Sequence, residues 1–408
     1  MKRVKQPNME IAILPEYGKK KLLDYADTIR DIAKAYLPIK RDEIQDAKNL
    51  EQGVIEKQTL LYRKQIYENR VILADHLEEM AHIMAHFAED SFLVVTISAR
   101  KQRQIIQLLK AHGVLVQTLY YIRHRNGHAE ISIMMRACKS RHFETEEVAG
   151  VLSVLLNRRF VPDKNCVMNI GEENDHFIFV EETKYILLTG IAKAVKENET
   201  MSGDNYSFCD IADNHYICAL SDGMGSGQKA CEDSALVIDI LEKLMEAGFE
   251  SERAITLING TLLSLGNEQN LSTLDMCDIN LQTGLASFWK VGAVSSYIKR
   301  RNGVEILEGN SLPLGIFHQL ELNSVEVQLK EGDYIILISD GILEAFQDDE
   351  AVYLLQEFIE EIEIENPREI ANYILQFVIR SCGGKILDDM TVGVAGLWKN
   401  DEESREDS

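Results

Sequence analysis

The chain has 408 residues, 45% of them hydrophobic, enough for more than one domain with its own core. Acidic residues outnumber basic ones 66 to 43, and the formal charge of -23 repels phosphate backbones, which argues against a nucleic-acid role. Seven cysteines without a Cys-x-x-Cys pair argue against a disulfide framework or a zinc knuckle, and no apolar run reaches the roughly 18 residues of a membrane span.

Residues 1–90 are expected to be a helical, coiled-coil-like segment. Leu22, Ala26, Ile29, Ala33 and Tyr36 alternate steps of four and three, which sets them on one helix face, and Pro38 ends that helix. Ile66, Leu73, Met80 and Phe87 then recur at seven with Leu77 and Met84 between them, the spacing of a coiled-coil seam interrupted by Arg70. Such a seam packs either within its own chain or against a second copy, and both readings stay open at this point.

Residues 91–182 change period and read as an α/β module. Phe92 to Val95 is expected as a strand, and Gln102 to His112 as a helix closed by Gly113. Val114 to Ile122 and Glu130 to Met135 read as strands around a turn at Arg125-Asn126-Gly127, and Glu144 to Asn157 as a second helix. His112, His124, His128, His142 and His176 show no metal-ligand spacing, so a regulatory or oligomerisation role is the default for this module.

Residues 183–399 mix strands and helices. After a loop through Met201 to Ser207, Ala230, Val237, Leu241 and Leu244 mark an amphipathic helix stopping at Gly248, and Ala254, Leu257, Ile258, Leu262 and Leu265 mark a second. Gln282-Thr283-Gly284, Arg301-Asn302-Gly303 and Glu331-Gly332-Asp333 read as hairpin turns, and Pro367 to Arg380 as a further helix. Antiparallel strands flanking helix pairs imply an α+β sandwich with helices outside. Residues 400–408 are charged and are expected to be disordered.

Chemistry concentrates where apolar strands meet carboxylates. Tyr216 to Leu220 delivers Ser221-Asp222-Gly223-Met224-Gly225-Ser226-Gly227, Tyr334 to Ile338 delivers Ser339-Asp340-Gly341, and Asp388-Asp389 precedes the strand-like Met390 to Val394. A lone Asp-Gly is usually a turn. Two Ser-Asp-Gly sequences closing buried strands, together with the acidic pair, point instead to a shared cation, because unpaired converging carboxylates repel one another. Oxygen-only ligands favour magnesium or manganese over zinc, and two such ions would polarise a water and clamp a phosphoryl group for in-line attack. Cysteine-based phosphatase chemistry is excluded, since no cysteine is followed six residues later by the arginine it requires.

As an ordered series, Ser221-Asp222-Gly223-Met224-Gly225, Lys330-Glu331-Gly332-Asp333 with Ser339-Asp340-Gly341-Ile342, and Asp388-Asp389-Met390-Thr391 resemble the motifs of the metal-dependent PPM (type 2C) serine/threonine phosphatases. From about Thr183 the chain more narrowly resembles the stage II sporulation protein E family. Leu271-Ser272-Thr273-Leu274-Asp275, Phe288-Trp289-Lys290-Val291-Gly292 and Leu312-Pro313-Leu314-Gly315-Ile316 add to that match. The resemblance implies a type 2C phosphatase-like β-sandwich flanked by helices, preceded by an α/β regulatory module and an N-terminal helical segment. It also implies a site for two ions, Mn2+ or Mg2+, with Asp222 bridging both and Gly223 offering its carbonyl to one. Asp340 and Asp388 would bind the other, Asp388 because the family's metal aspartate lies three positions before the threonine, here Thr391. Asp204 and Asp389 would stand behind these ligands. Met224 occupies the position where many type 2C relatives carry a histidine.

The implied activity is hydrolysis of phosphoserine on an anti-anti-sigma factor, which activates a sporulation sigma factor. An alternative is an oligomeric scaffold at the division septum that contacts the cell-division tubulin homologue. The family carries a multi-span membrane segment ahead of its central region that these 408 residues lack. A cytoplasmic location is therefore expected of the chain as it stands, and membrane or septum association of a longer form.

Overall fold

The computed structural model describes all residues except 1–9, 37–69, 72, 75, 79, 86–87, 89–96, 124–127, 139–142, 164–165, 212–213, 226, 265–270, 310, 318–319, 349 and 401–408. The expected strand at Phe92, the turn at Arg125-Asn126-Gly127, and Ile66, Phe87, His124, His142 and Leu265 lie outside the described residues. Two compact units divide the chain, residues 1–45 with 73–182, and residues 46–72 with 183–408. No helix of the described residues is long and apolar enough to cross a membrane.

In the first unit, helix α1 (Glu10–Tyr36) buries Ala26 and Ala33, on the expected face. The described residues between 73 and 88 are helical and bury Ala74, Ala81 and Ala88, whereas Leu73 and Met80 are 41% and 50% exposed. The heptad period is therefore present, but its seam runs one residue later than the large side chains suggest. The distance between packed helices follows the size of the side chains at the contact, and alanine permits a close approach. Arg30 Nε, 3.0 Å from Glu78 Oε1, joins the two helices.

Helix α2 (Ala99–Ala111), capped by Ser98, leads into β1 (Val114–Arg123) and β2 (Ala129–Ala137). After them come β3 (Phe143–Glu144), α3 (Thr145–Leu156), β4 (Phe160–Pro162), β5 (Asn169–Ile170) and β6 (Asp175–Glu181). The main sheet has the order β1-β2-β6-β4, and β3 pairs with β5. Ile131, Ile133 and Met135 alternate inward on β2 and share one core with Ile105, Leu109, Val148 and Leu152 of the two helices. His128 is buried, and His176 Nε2 lies 2.7 Å from Ser132 Oγ, so both pack as ordinary side chains.

The second unit opens with β7 (Tyr185–Ala194), β8 (Asp204–Ile211), β9 (His215–Asp222) and helices α4 (Gln228–Glu246) and α5 (Ser251–Ser264). It continues through β10 (Leu274–Asn280), β11 (Leu285–Val291), β12 (Ser296–Arg300), β13 (Gly303–Leu307), β14 (Ser324–Gln328) and β15 (Tyr334–Ile338). Helices α6 (Asp340–Glu344), α7 (Ala351–Glu360) and α8 (Pro367–Ser381) precede the last strand, β16 (Met390–Lys399). The strands form two five-stranded antiparallel sheets, ordered β14-β11-β10-β9-β8 and β13-β12-β15-β16-β7.

Period-two alternation divides the side chains among three apolar layers. Cys218, Leu220, Cys277, Phe288, Ile298, Ile335 and Leu337 fill the layer between the sheets. Ile217, Ala219, Leu274 and Met276 face outward and pack on Val237, Leu241, Ile255 and Ile258 of α4 and α5. On the far side, Ile336, Ile338, Val392 and Val394 pack on Leu355, Ile359, Ile370 and Ile374 of α7 and α8. A Cβ at Gly190 would stand 2.2 Å from the Arg368 nitrogen, which shows how closely α8 lies on β7.

Two expectations need correction. Gln282-Thr283-Gly284 and Arg301-Asn302-Gly303 do join paired strands, but Glu331-Gly332-Asp333 is not a hairpin turn. It carries the chain from β14 in one sheet to β15 in the other, because β14 pairs with β11 and β15 with β12 and β16. Asn400, placed in the disordered tail, is instead held at the start of β7 by hydrogen bonds to the carbonyls of Lys184 (3.0 Å) and Thr183 (3.2 Å).

Candidate active site

The alternation that fills the inter-sheet layer also aims carboxylates at one end of it. On β9, Cys218 and Leu220 face the other sheet, and Asp222 has the same parity. Asp204 lies directly opposite Asp222 in the β8–β9 register, with Phe208 of its own parity packed on the inter-sheet core. From the second sheet, β15 ends at Ile338, Ser339 precedes α6 and turns its hydroxyl to the Asp389 carbonyl and the Thr391 N–H, and Asp340 is the first helical residue. The Asp222 carboxyl stands close enough to the Asp340 and Asp204 carboxyls to be raised by the charge of both. Strand ends from the two sheets thus meet at three acids.

Neighbouring backbone fixes these side chains. The Asp222 N–H donates to Thr273 Oγ1 (3.0 Å), and its carbonyl accepts from the Thr273 N–H and from Ser272 Oγ, both at 2.8 Å. A Cβ at Gly223 would fall 2.0 Å from the Ala230 carbonyl oxygen, so the chain turns into α4 only with glycine there. Asp389 is buried and accepts from the N–H groups of Gly203 (2.7 Å) and Lys196 (2.9 Å), which pins the loop leading into β8. Asp388 is about one-third exposed, and its Oδ1 accepts from the Asp389 N–H (2.9 Å) and from Lys196 Nζ (3.3 Å). Asp204 is buried; Thr391 Oγ1 donates to its Oδ2 (2.6 Å), whereas its Oδ1 has no hydrogen-bond partner.

Burial, reinforced by the charges of Asp204 and Asp340, pushes the Asp222 carboxyl far above the usual carboxylate range. Burial also raises Asp204 against the lowering effect of the Thr391 hydrogen bond. Asp340 is raised by burial, with the charge of Asp388 adding to it. The Asp340 charge in turn raises Glu344. Among the described residues no three His, Cys, Asp or Glu side chains are spread as a ready-made cage for one ion; the Asp222 carboxyl instead stands against those of Asp204 and Asp340. Excess negative charge, oxygen-only donors and a buried carboxylate oxygen left over on Asp204 together fit a hard divalent cation.

Of the residues singled out from sequence, Asp204, Asp222 and Asp340 are in contact, Asp388 acts on Asp340 through its charge, and Asp389 turns to main-chain donors. The supports Thr273, Ser339 and Thr391 and the cation Lys196 were not assigned roles from sequence. Thr391 stood inside a recognised motif as a landmark only. Lys196 lies 192 residues from the aspartate it pairs with, and nothing local marks it.

A solved structure shares this architecture. The chain superposes on the PP2C phosphatase domain and regulatory-domain fragment of SpoIIE from Bacillus subtilis with a TM-score of 0.61 and 28% identity, covering 89% of this chain and 100% of that one. The fold is that of the PP2C serine phosphatases.

Two family models match the sequence, "Stage II sporulation protein E (SpoIIE)" over residues 212–397 and "SpoIIE, regulatory domain" over residues 28–181. The stage II sporulation protein E of Priestia megaterium is 31% identical over 339 residues, 83% of this chain and 58% of that one. That of Bacillus subtilis is 32% identical over 343 residues, 84% of this chain and 41% of that one. The chain belongs to the stage II sporulation protein E family, and it spans roughly half the length of these curated relatives.

Proposed function

We propose that this chain is a metal-dependent protein-serine phosphatase that hydrolyses phosphoserine on an anti-anti-sigma factor and so activates a sporulation sigma factor. The observation that carries the reading is the meeting of Asp204, Asp222 and Asp340 from two sheets, with one carboxylate oxygen of Asp204 left without a partner. Asp222, the Gly223 carbonyl, Asp340 and Asp388 would hold two ions, Mn2+ or Mg2+. When bound, the ions supply Lewis acidity toward a phosphoryl group and lower the pKa of water.

The protein's own part is placement. The Thr273 clamp fixes Asp222, α6 presents Asp340 from its first turn, and Asp389 pins the loop that leads to Asp204. Met224, about half exposed beside Gly223, carries no exchangeable proton, so the leaving serine oxygen is not protonated from that position. The phosphoserine phosphatase RsbU of Bacillus subtilis, 24% identical over 196 residues, is consistent with a phosphoserine substrate.

The test is release of phosphate from a phosphoserine-bearing regulator protein with and without Mn2+. Turnover that needs the metal and disappears in Asp222→Asn supports the assignment. Equal turnover by that variant removes it.

A second role is compatible with the first. The first unit, residues 1–45 with 73–182, has its own apolar core. That favours a regulatory or oligomerisation module, with a second copy or the cell-division tubulin homologue as partner at the septum. Sedimentation of the full chain over a concentration series, alone and with that partner, tests it: one unchanging monomer species in both series removes the scaffold role.

A further inference from the structure

The layer between the two sheets is apolar except at the end where the acids meet. Parity turns Asp275 inward on β10 with Cys277 and Ile279, Lys290 inward on β11 with Ala286 and Phe288, and Ser296 inward on β12 with Ile298. These three side chains join. Lys290 Nζ lies 2.7 Å from Asp275 Oδ2 and 2.7 Å from Ser296 Oγ, and Ser296 Oγ donates to the same Asp275 oxygen. The Asp275 and Lys290 side chains are only 2% and 6% exposed. Since β10 and β11 belong to one sheet and β12 to the other, the group ties the sheets together.

Stability alone does not account for such a pair, because apolar side chains of similar volume in its place are often neutral or stabilising. Its surroundings suggest another reason. Asp275 lines a recess between the sheets with Asp222, Thr273, Ser339 and Asp340, and its Oδ1 is buried without a hydrogen-bond partner. Two residues before it, just ahead of β10, Thr273 grips the backbone of Asp222.

We infer that Lys290, Asp275 and Ser296 are positioning residues, an ionic clasp that fixes the spacing of the two sheets where Asp222 and Asp340 meet and thereby sets the affinity of that site for divalent cations. The inference rests on the reading of Asp222 and Asp340 as cation ligands. Ligand constellations work only when held to within about 0.5 Å of the required geometry. An apolar substitute for the clasp fills the same volume without fixing that distance.

The experiment is a calorimetric Mn2+ titration of the full chain, paired with metal-free thermal melting, for Asp275→Asn/Lys290→Met and for Ser296→Ala. The double variant leaves no unpaired buried charge and is expected to melt near the parent temperature while binding Mn2+ about tenfold more weakly, the loss typical of partners that orient metal ligands. Ser296→Ala shifts the affinity in the same direction by less. The clasp is overturned if both variants bind within about twofold of the parent, well short of that loss, or if affinity falls only where the cooperative metal-free melt is also lost. A parent chain that binds no Mn2+ overturns the metal reading and the clasp together, whereas a parent that binds with both variants unaffected overturns the clasp alone.

Discussion

Asp222 is held where its charge is least welcome, buried beside Asp204 and Asp340. Asp222→Asn relieves that repulsion, so the metal-free melting temperature is expected to stay level or rise, while Mn2+ no longer raises it as it does in the parent. Activity should fall by more than about 100-fold, the upper end for groups that merely orient metal ligands. Thr391→Val is expected to cost about 1–3 kcal/mol in urea denaturation, because it strips Asp204 of its Thr391 partner while the carboxylate stays buried. Asp222 and Asp340 were legible in the sequence because each follows a buried apolar strand within Ser-Asp-Gly. Lys290 and Asp275 were visible as motif members, but their meeting depends on the pairing of β10 with β11 and on a serine from the other sheet, which no local pattern reports.

At the scale of elements, alternation and periodicity located strands and helices well, and misled where small residues or sheet changes intervened. The helical heptads were read from Leu73 and Met80, yet Ala74 and Ala81 are the residues buried. Ala81→Leu is accordingly expected to destabilise the first unit by about 1–3 kcal/mol through overpacking, whereas Met80→Gln should stay within about 0.5 kcal/mol of the parent; helical circular dichroism against urea distinguishes them. Asn366 caps α8 through the N–H groups of Arg368 (3.0 Å) and Glu369 (3.3 Å). Asn366→Ala should remove about 1 kcal/mol of stability while leaving phosphate release intact. The turn at Glu331-Gly332-Asp333 looks like a hairpin locally, and only the competition of β11 for β14 and of β12 and β16 for β15 sends the chain between sheets.

At the scale of the whole molecule, the α+β sandwich was legible because antiparallel strands flank helix pairs along the chain, and β15 accordingly buries one face between the sheets and the other under the outer helices. Two cysteines, Cys218 and Cys277, sit fully buried in the inter-sheet layer, where burial holds their thiols well above the ordinary value. Both are expected to resist alkylation at pH 8 in the native protein and to react once the second unit unfolds, so their labelling times the opening of that layer. The net charge of -23 places the chain among proteins that gain from bound cations, and the acidic cluster is where that gain should be localised.

The most direct measurement is therefore the number of Mn2+ ions bound per chain at saturation, compared between the parent, Asp222→Asn and Asp340→Asn. Two ions are expected on the parent, with loss of binding in both variants. A parent that binds none, or variants that bind as the parent does, would contradict that expectation.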